Sequence, residues 1–330
     1  MTPLHDKVYW QTKVYSQAAM QNCVLQLGSI ALISAPMFTR DEFLSKMHVE
    51  ELDELLFRGE PLQMGLPRVF GGQVLGQALN AAVRTVETER KPHSLHGYFL
   101  RPGDINRPII YEVDPIRDGR SFATRRVVGK QRGKAIFNCS ISFQICEEGL
   151  SHQIDLPDDI ARPEDTLPDV EHLKQLMKTH PELSLDKLRA SNLIFDPSIL
   201  EIRTPELAKS LVPGNYEPRF GFWFKFHDAI GDDPITHRTL LAFISDKALM
   251  MVGMMPHNVD FKTHRLIGAS LDHSMWFHSE IRVNQWIYYH IDSPRSTRAR
   301  DLGRGSFYTQ SGELIASTAQ EGLIRIVERD

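Results

Sequence analysis

Cysteine is scarce in this chain. Its 330 residues include three, Cys23, Cys139 and Cys146, too widely spaced for a disulfide framework or a metal motif, and a reducing compartment suits them. Blocks of like charge are missing too. The net charge is −4 with no basic run, which makes nucleic acid an unexpected partner. No apolar run is long enough to span a bilayer. The longest, Cys23 to Phe38, is interrupted by Gln26, Gly28, Ser29, Ser34 and Pro36, so no membrane insertion is expected. There is no P-loop, no GxGxxG after a strand and no HExxH. The 14 histidines therefore read as surface or sheet residues, and neither a metal nor another cofactor is expected. The stretch from Gly268 to Asp272 lacks the second glycine of a nucleophile elbow, which argues against that kind of serine hydrolase.

What remains has the composition of a soluble globular protein, 42% apolar and 24% charged, long enough for two domains. Residues 1–40, poor in acids and without strong periodicity, read as an extension that is poorly ordered or carries targeting information. The spacing of Phe43, Leu44, Met47, Leu52, Leu55 and Leu56 predicts a helix from Asp41 to Gly59. A second helix opens on Gly71 and Gly72. Strands are expected over Leu95–Leu100, Ile109–Pro115, Ser121–Lys130 and Ala135–Cys146, with turns at Arg117-Asp-Gly and Arg132-Gly. A long helix followed by an antiparallel meander is an α+β layer arrangement, and residues 41–146 are expected to form one such domain. Residues 147–191, rich in proline and acids, read as a linker or excursion with a short helical piece near Val170–Thr179. A second domain, 192–330, repeats the grammar. It has strands at Ile199–Thr204 and Arg219–His227, a helix at Thr239–Met255, a strand at Leu266–Phe277, and strands at Trp286–Asp292, Arg300–Gln310 and Leu314–Ile326.

The two domains read as copies. The strand bearing His93 and His96 aligns with Ser270 to Phe277, with His96 against His273 and His93 against Ser270. Later strands also align, at an offset of roughly 177 to 179 residues. Each copy thus serves as a control for the other. Ala135, Phe137, Cys139, Ile141 and Phe143 form a wholly apolar strand face, whereas the matching face holds Leu314, Ala316, Thr318 and Gln320. A buried amide is costly unless paired. In the same copy Asp246 breaks an otherwise apolar helix, and Ser270, Asp272 and Ser274 alternate along a strand that should be half apolar. Alone, Asp246 would read as a solvent-facing residue beside Lys247. A carboxylate, a hydroxyl and an amide that break pattern in one copy only point together to a shared polar site.

The segments FGGQVLGQAL, HSLHGYFLRPGD, RDGRSF, SLDHSMWFH and GSFYTQSGELIASTAQEG, with the Ser245-Asp246 pair, resemble the acyl-CoA thioesterase II family over about Asp41 to Ile326. The resemblance implies two fused hotdog domains and hydrolysis of medium- or long-chain acyl-CoA to a fatty acid and CoA. The family's aspartate, hydroxyl residue and glutamine fall on Asp246, Ser270 and Gln320, which would bind and activate one water. Here serine stands where many members have threonine. For the thioester carbonyl, the backbone N–H groups of Gly71, Gly72 and Gln73 at a helix N-terminus are the candidate donors, with His96 a further candidate for substrate binding. A hotdog hydratase or dehydratase, or a non-catalytic acyl-CoA binder, is the alternative; release of free thiol separates them. A homo-oligomer is expected from the exposed edges and faces of such sheets. The C-terminal Val327-Glu-Arg-Asp carries no peroxisomal tripeptide, which leads to an expectation of the cytoplasm.

Overall fold

The structure, a computed structural model, describes residues 38–181, 183, 195, 198–227, 230–260 and 263–329. The extension expected over residues 1–40 lies outside the described residues as far as residue 37. The first helix, α1 (Arg40–Met47), starts with a capping box in which Thr39 and Glu42 satisfy each other's backbone N–H. It ends about three turns before the sequence reading expects. The rest of that stretch is a hairpin, β1 (Glu50–Asp53) and β2 (Leu56–Gly59). Leu52 and Leu55, which imitate a helical stripe, are exposed on it.

Then follow α2 (Gly71–Val83) and the meander β3 (Arg90–Phe99), β4 (Ile109–Asp118), β5 (Phe122–Gln131) and β6 (Lys134–Ile145). After the excursion, which contains α3 (Asp169–Thr179), come β7 (Leu200–Arg203), α4 (Leu207–Leu211) and β8 (Arg219–Phe226). Next are α5 (Pro234–Ser245), α6 (Leu249–Val252), β9 (His264–Ser270) and β10 (Asp272–Phe277). The chain closes with β11 (Ile287–Thr297), β12 (Arg300–Thr309) and β13 (Leu314–Glu328).

The strands form one antiparallel sheet in the order β1-β2-β4-β5-β6-β3-β10-β13-β12-β11-β8-β7, with β9 on the far part of β13. The halves meet at β3 and β10, where His96 faces Ser274. The sheet encloses α2 and α5, which run antiparallel with their backbones in close approach. A Cβ on Gly76 would lie 2.9 Å from the Thr239 carbonyl oxygen, and one on Gly72 would collide with that of Phe243. The small residues of α2 thus admit the other helix, not only the sheet. Against the expectation from the sequence, Pro234–His257 is long and apolar enough to cross a membrane by composition, yet α5 is buried from Thr236 to Ser245 in a core shared by both halves.

The duplication is visible in the ladders, with one correction. Leu95 pairs with Ile141, and one step beyond the Ser274↔Ala319 pair His273 comes opposite Gln320. His273 therefore occupies the place of Leu95, not that of His96, and Gln320 the place of Ile141. By the same register Pro92, which faces Phe143, matches Ser270, which faces Gly322. His93 falls instead on the irregularity between Pro92 and Ser94, the counterpart of the break at Leu271. Tyr111 and Tyr289 are another matched pair, both fully buried. The excursion is not matched in the first half. It crosses the outer face of β8, β11 and β12, where the Trp223 indole N–H donates to the Ala161 carbonyl at 2.9 Å.

Candidate active site

The sequence reading expects one helix through Thr239–Met255. Instead α5 stops at Ser245, Asp246 caps its C-terminal end, and Ala248 adopts a left-handed conformation (φ 72°) before α6 begins. This break turns the Asp246 side chain across the helix pair. The Gly72 N–H, second in α2, donates to Asp246 Oδ2 at 3.0 Å. Opposing fields act on this carboxylate. The negative end of α5 and burial disfavour its charge, while the N-terminus of α2 favours it. Burial wins. Asp246 is pushed up to about 7, against hydrogen bonds from Gly72, Ser270 and Gln320 and the charge of Arg68, all of which pull it down.

Ser270 comes from the last position of β9. The strand expected over Leu266–Phe277 is broken at Leu271, whose N–H bonds to the Glu321 carbonyl and whose carbonyl accepts from Phe99 N–H. The break inverts the alternation. Ser270 turns inward, donating its hydroxyl to Asp246 Oδ1 at 3.4 Å, while Ser274 lies on the outer face against His96. The expected shared face of Ser270, Asp272 and Ser274 does not exist, for this reason. Gln320 on β13 is 2% exposed and donates through Nε2 to Ser270 Oγ at 3.0 Å. Asp246, Ser270 and Gln320 thus form one connected cluster, drawn from three elements.

The cluster continues into residues to which the sequence reading gives no part in the site. Gln320 Oε1 lies 2.6 Å from His273 Nδ1, and His273 Nε2 lies 2.9 Å from Ser245 Oγ. Tyr289 donates its hydroxyl to the Ser245 carbonyl at 2.8 Å and contacts Thr318 Oγ1 at 2.9 Å. His273 is fully buried, and burial pushes its imidazole down to about 4, so the ring is neutral at pH 7. The signal was present in the sequence, since an imidazole shares a strand face with Met275 and Phe277. The one-residue misalignment to His96 hid it.

Asp246 and Ser270 open onto a cavity of about 790 Å³. On one side lie Phe70, Gly71, Phe99 and Arg101; on the other, α4, Phe220, Phe222 and the methionines of and around α6. The proposed backbone donors divide. Gly71 lines the cavity, and its N–H is one for which the helix has no acceptor. The Gly72 N–H holds Asp246 instead. Gln73 is directed away, its N–H to the Phe70 carbonyl at 3.1 Å and its amide to Leu62 and Glu60. His96 is corrected as well. It lies on the outer face, edge-on to Trp276 and bonded to Ser274, because its strand position alternates away from the core. Among the described residues no cluster of metal-ligating side chains occurs.

Known proteins share this architecture. A protein with a hotdog fold from Alicyclobacillus acidocaldarius matches with a TM-score of 0.65 at 16% identity, over 86% of this chain and 98% of that one. An acyl-CoA thioesterase II from Mycobacterium marinum matches with a TM-score of 0.68 at 34% identity, over 88% and 99%. Acyl-CoA thioesterase 2 of Haemophilus influenzae is 36% identical over 282 residues, 86% of this chain and 96% of that protein. Human acyl-coenzyme A thioesterase 8 is 38% identical over 283 residues, 85% and 88%. Residues 195–323 match the family described as acyl-CoA thioesterase, and residues 60–144 the acyl-CoA thioesterase N-terminal domain. A tandem hotdog sheet around two antiparallel helices, with these likenesses over nearly all of its described length, makes this chain a member of the acyl-CoA thioesterase family, a hydrolase of thioester bonds.

Proposed function

We propose that Asp246 is the general base and that Ser270 and Gln320 hold the water it activates. Asp246 takes a proton from that water as its oxygen bonds to the thioester carbonyl carbon. The Gly71 N–H meets the charge that develops on the carbonyl oxygen. When the carbon–sulfur bond breaks, the proton returns from Asp246 to the CoA sulfur, leaving a fatty acid and free CoA. The observation that carries this reading is the contact of the three side chains at an apolar cavity, where a carboxylate near 7 can both accept and return a proton at neutral pH.

Medium- or long-chain acyl groups are the proposed substrates. Support comes from the size of the cavity and its apolar wall of Leu207, Leu211, Phe220, Phe222, Met250 and Met254. Methionine side chains adapt to ligands of differing shape, which suits a range of chain lengths. Thiol release measured across acyl-CoA chain lengths tests both statements. The wild type should act best on the longer chains without added metal, and Asp246→Asn should lower kcat about 10² to 10⁴-fold with little change in KM. Loss of activity with a chelator, or near-normal turnover by Asp246→Asn, would refute the mechanism.

The proposed assembly is a homo-oligomer joined through the outer face of the central strands. There His96, Tyr98, Ser274 and Trp276 lie together, with Asp272 opposite Tyr98 at one end. Flanking them are the ion pairs Arg126–Asp114 at 2.8 Å and Arg304–Asp292 at 2.7 Å. Tyr98 is 59% and Trp276 37% exposed. Light scattering should find more than one copy for the wild type and a monomer for Trp276→Glu; a monomeric wild type would end the idea. We place the protein in the cytoplasm, where the free thiols of Cys139 and Cys146 stay reduced. Recovery with an organelle on cell fractionation would contradict that placement.

A further inference from the structure

We propose that His273, held by Ser245, is a positioning residue that fixes the orientation of the Gln320 amide and thereby directs the Ser270 hydroxyl onto Asp246. The proposal rests on the reading of Asp246 as the base and follows from counting protons along the cluster. Gln320 Oε1 can only accept, so the nitrogen 2.6 Å away, His273 Nδ1, carries a hydrogen. In the neutral ring Nε2 is then an acceptor. It faces Ser245 Oγ at 2.9 Å, and that hydroxyl shares its proton between Nε2 and the Ala242 carbonyl at 2.8 Å. With Oε1 engaged, Gln320 offers Nε2 to Ser270 Oγ at 3.0 Å. Ser270 keeps its one proton for Asp246 Oδ1.

The donations from Ser245, His273, Gln320 and Ser270 all run one way and end on the carboxylate. A reversed amide would undo this. Its oxygen would face Ser270 and take the only proton that hydroxyl has, leaving Asp246 Oδ1 without its donor. The first half shows what the fold needs at these positions without the chemistry. Leu95 and Ile141 stand where His273 and Gln320 stand, and both are buried. An apolar pair fills the space, so the imidazole and the amide answer to something other than packing.

The other ionisable groups acting on Asp246 are Arg68, in the loop before α2, and Tyr289 on β11. Burial raises Tyr289 far above the range in which Asp246 titrates, so it stays protonated. Because donors to a carboxylate favour its charged form, loss of the directed chain should raise the Asp246 pKa.

The experiment compares substitutions at His273. His273→Leu, which restores the first-half residue, should lower kcat about 10- to 100-fold with KM changed less than about 3-fold, and shift the acid limb of the pH–rate profile about half a unit or more upward. In His273→Asn the amide N–H falls near the place of Nδ1 and can donate to Gln320. Most of the lost rate should return, with the limb near its wild-type position. In His273→Gln the amide is one carbon longer and lies on the Ser245 side, so rescue should fail. Equal impairment of Asn and Gln variants, or an unmoved limb in His273→Leu, overturns the proposal. Should His273→Leu not fold, the Asn and Gln pair decides. Nitrogen NMR of the wild-type ring should find the proton on Nδ1; a proton on Nε2 overturns the proposal without reference to turnover. If Asp246→Asn retains activity while the ring carries Nδ1–H, the base assignment has failed and the hydrogen-bond order has not.

Discussion

At the scale of single residues, the proposed reaction turns on the protonation of Asp246. Its carboxyl titrates near 7 in the folded chain against 3.8 as an ordinary aspartate, and only the ionised form can accept a proton. The rate constant kcat/KM should therefore rise about tenfold per pH unit below 7 and level off above it. A bend near pH 4 would show that burial has not raised the Asp246 carboxyl above its ordinary value. The same shift bears on stability with a definite sign. A group whose pKa is raised by folding contributes stability fully present below its unfolded value, and that stability is lost as pH rises through its folded value. At pH 8 the wild type carries a buried charge costing on the order of a few kcal/mol, which asparagine does not have. Thermal unfolding should thus find Asp246→Asn more stable than wild type at pH 8, with the difference shrinking as pH falls and the two nearly equal only near pH 4. A variant less stable at both would show that the hydrogen bonds of the carboxylate outweigh its burial.

At the scale of elements, legibility follows from how many residues a pattern has in which to repeat. The meander β3 to β6 and the strands β11 to β13 were readable because alternation runs through ten or more residues in each. The short hairpin β1–β2 was not. Four-residue strands hold too few alternations to compete with the leucine spacing that imitates a helix, and pairing with β4 settles the matter only in three dimensions. Two breaks escaped for a related reason. The stop after Ser245 and the irregularity at Leu271 each occupy one or two residues, and neither contains the glycine or proline that usually marks a break. Yet these breaks bring Asp246 and Ser270 together. The polar residues were legible as exceptions to an apolar pattern, and their geometry was not. The backbone donors show the same division: the Gly71-Gly72 pair was legible as a close-approach helix start. Which N–H faces the cavity and which holds Asp246 depends on α5 lying against it.

At the scale of the whole molecule, duplication supplies two junctions between helix and sheet but one set of the groups proposed for catalysis. The position of Gln320 is taken in the first half by Ile141, that of Ser270 by Pro92 and that of His273 by Leu95, and α2 contains no carboxylate. The first half nonetheless takes part, since its helix gives the Gly72 N–H to Asp246 and turns Gly71 to the cavity. Each chain should therefore hold one active site that needs both halves. Gln320→Leu, which makes the second half resemble the first, should remove nearly all turnover in a folded protein, because Ser270 then loses its amide partner and the water one of its holders. The opposite change, Ile141→Gln, should add no activity. It buries an amide where the partner across the ladder is Leu95, at a cost of about 1 to 3 kcal/mol in denaturant unfolding. Titration with a tight, non-hydrolysable acyl-CoA analogue should saturate at one equivalent per chain. Two equivalent catalytic sites, or turnover surviving in Gln320→Leu, would mean that the first junction works by groups other than those the second half uses.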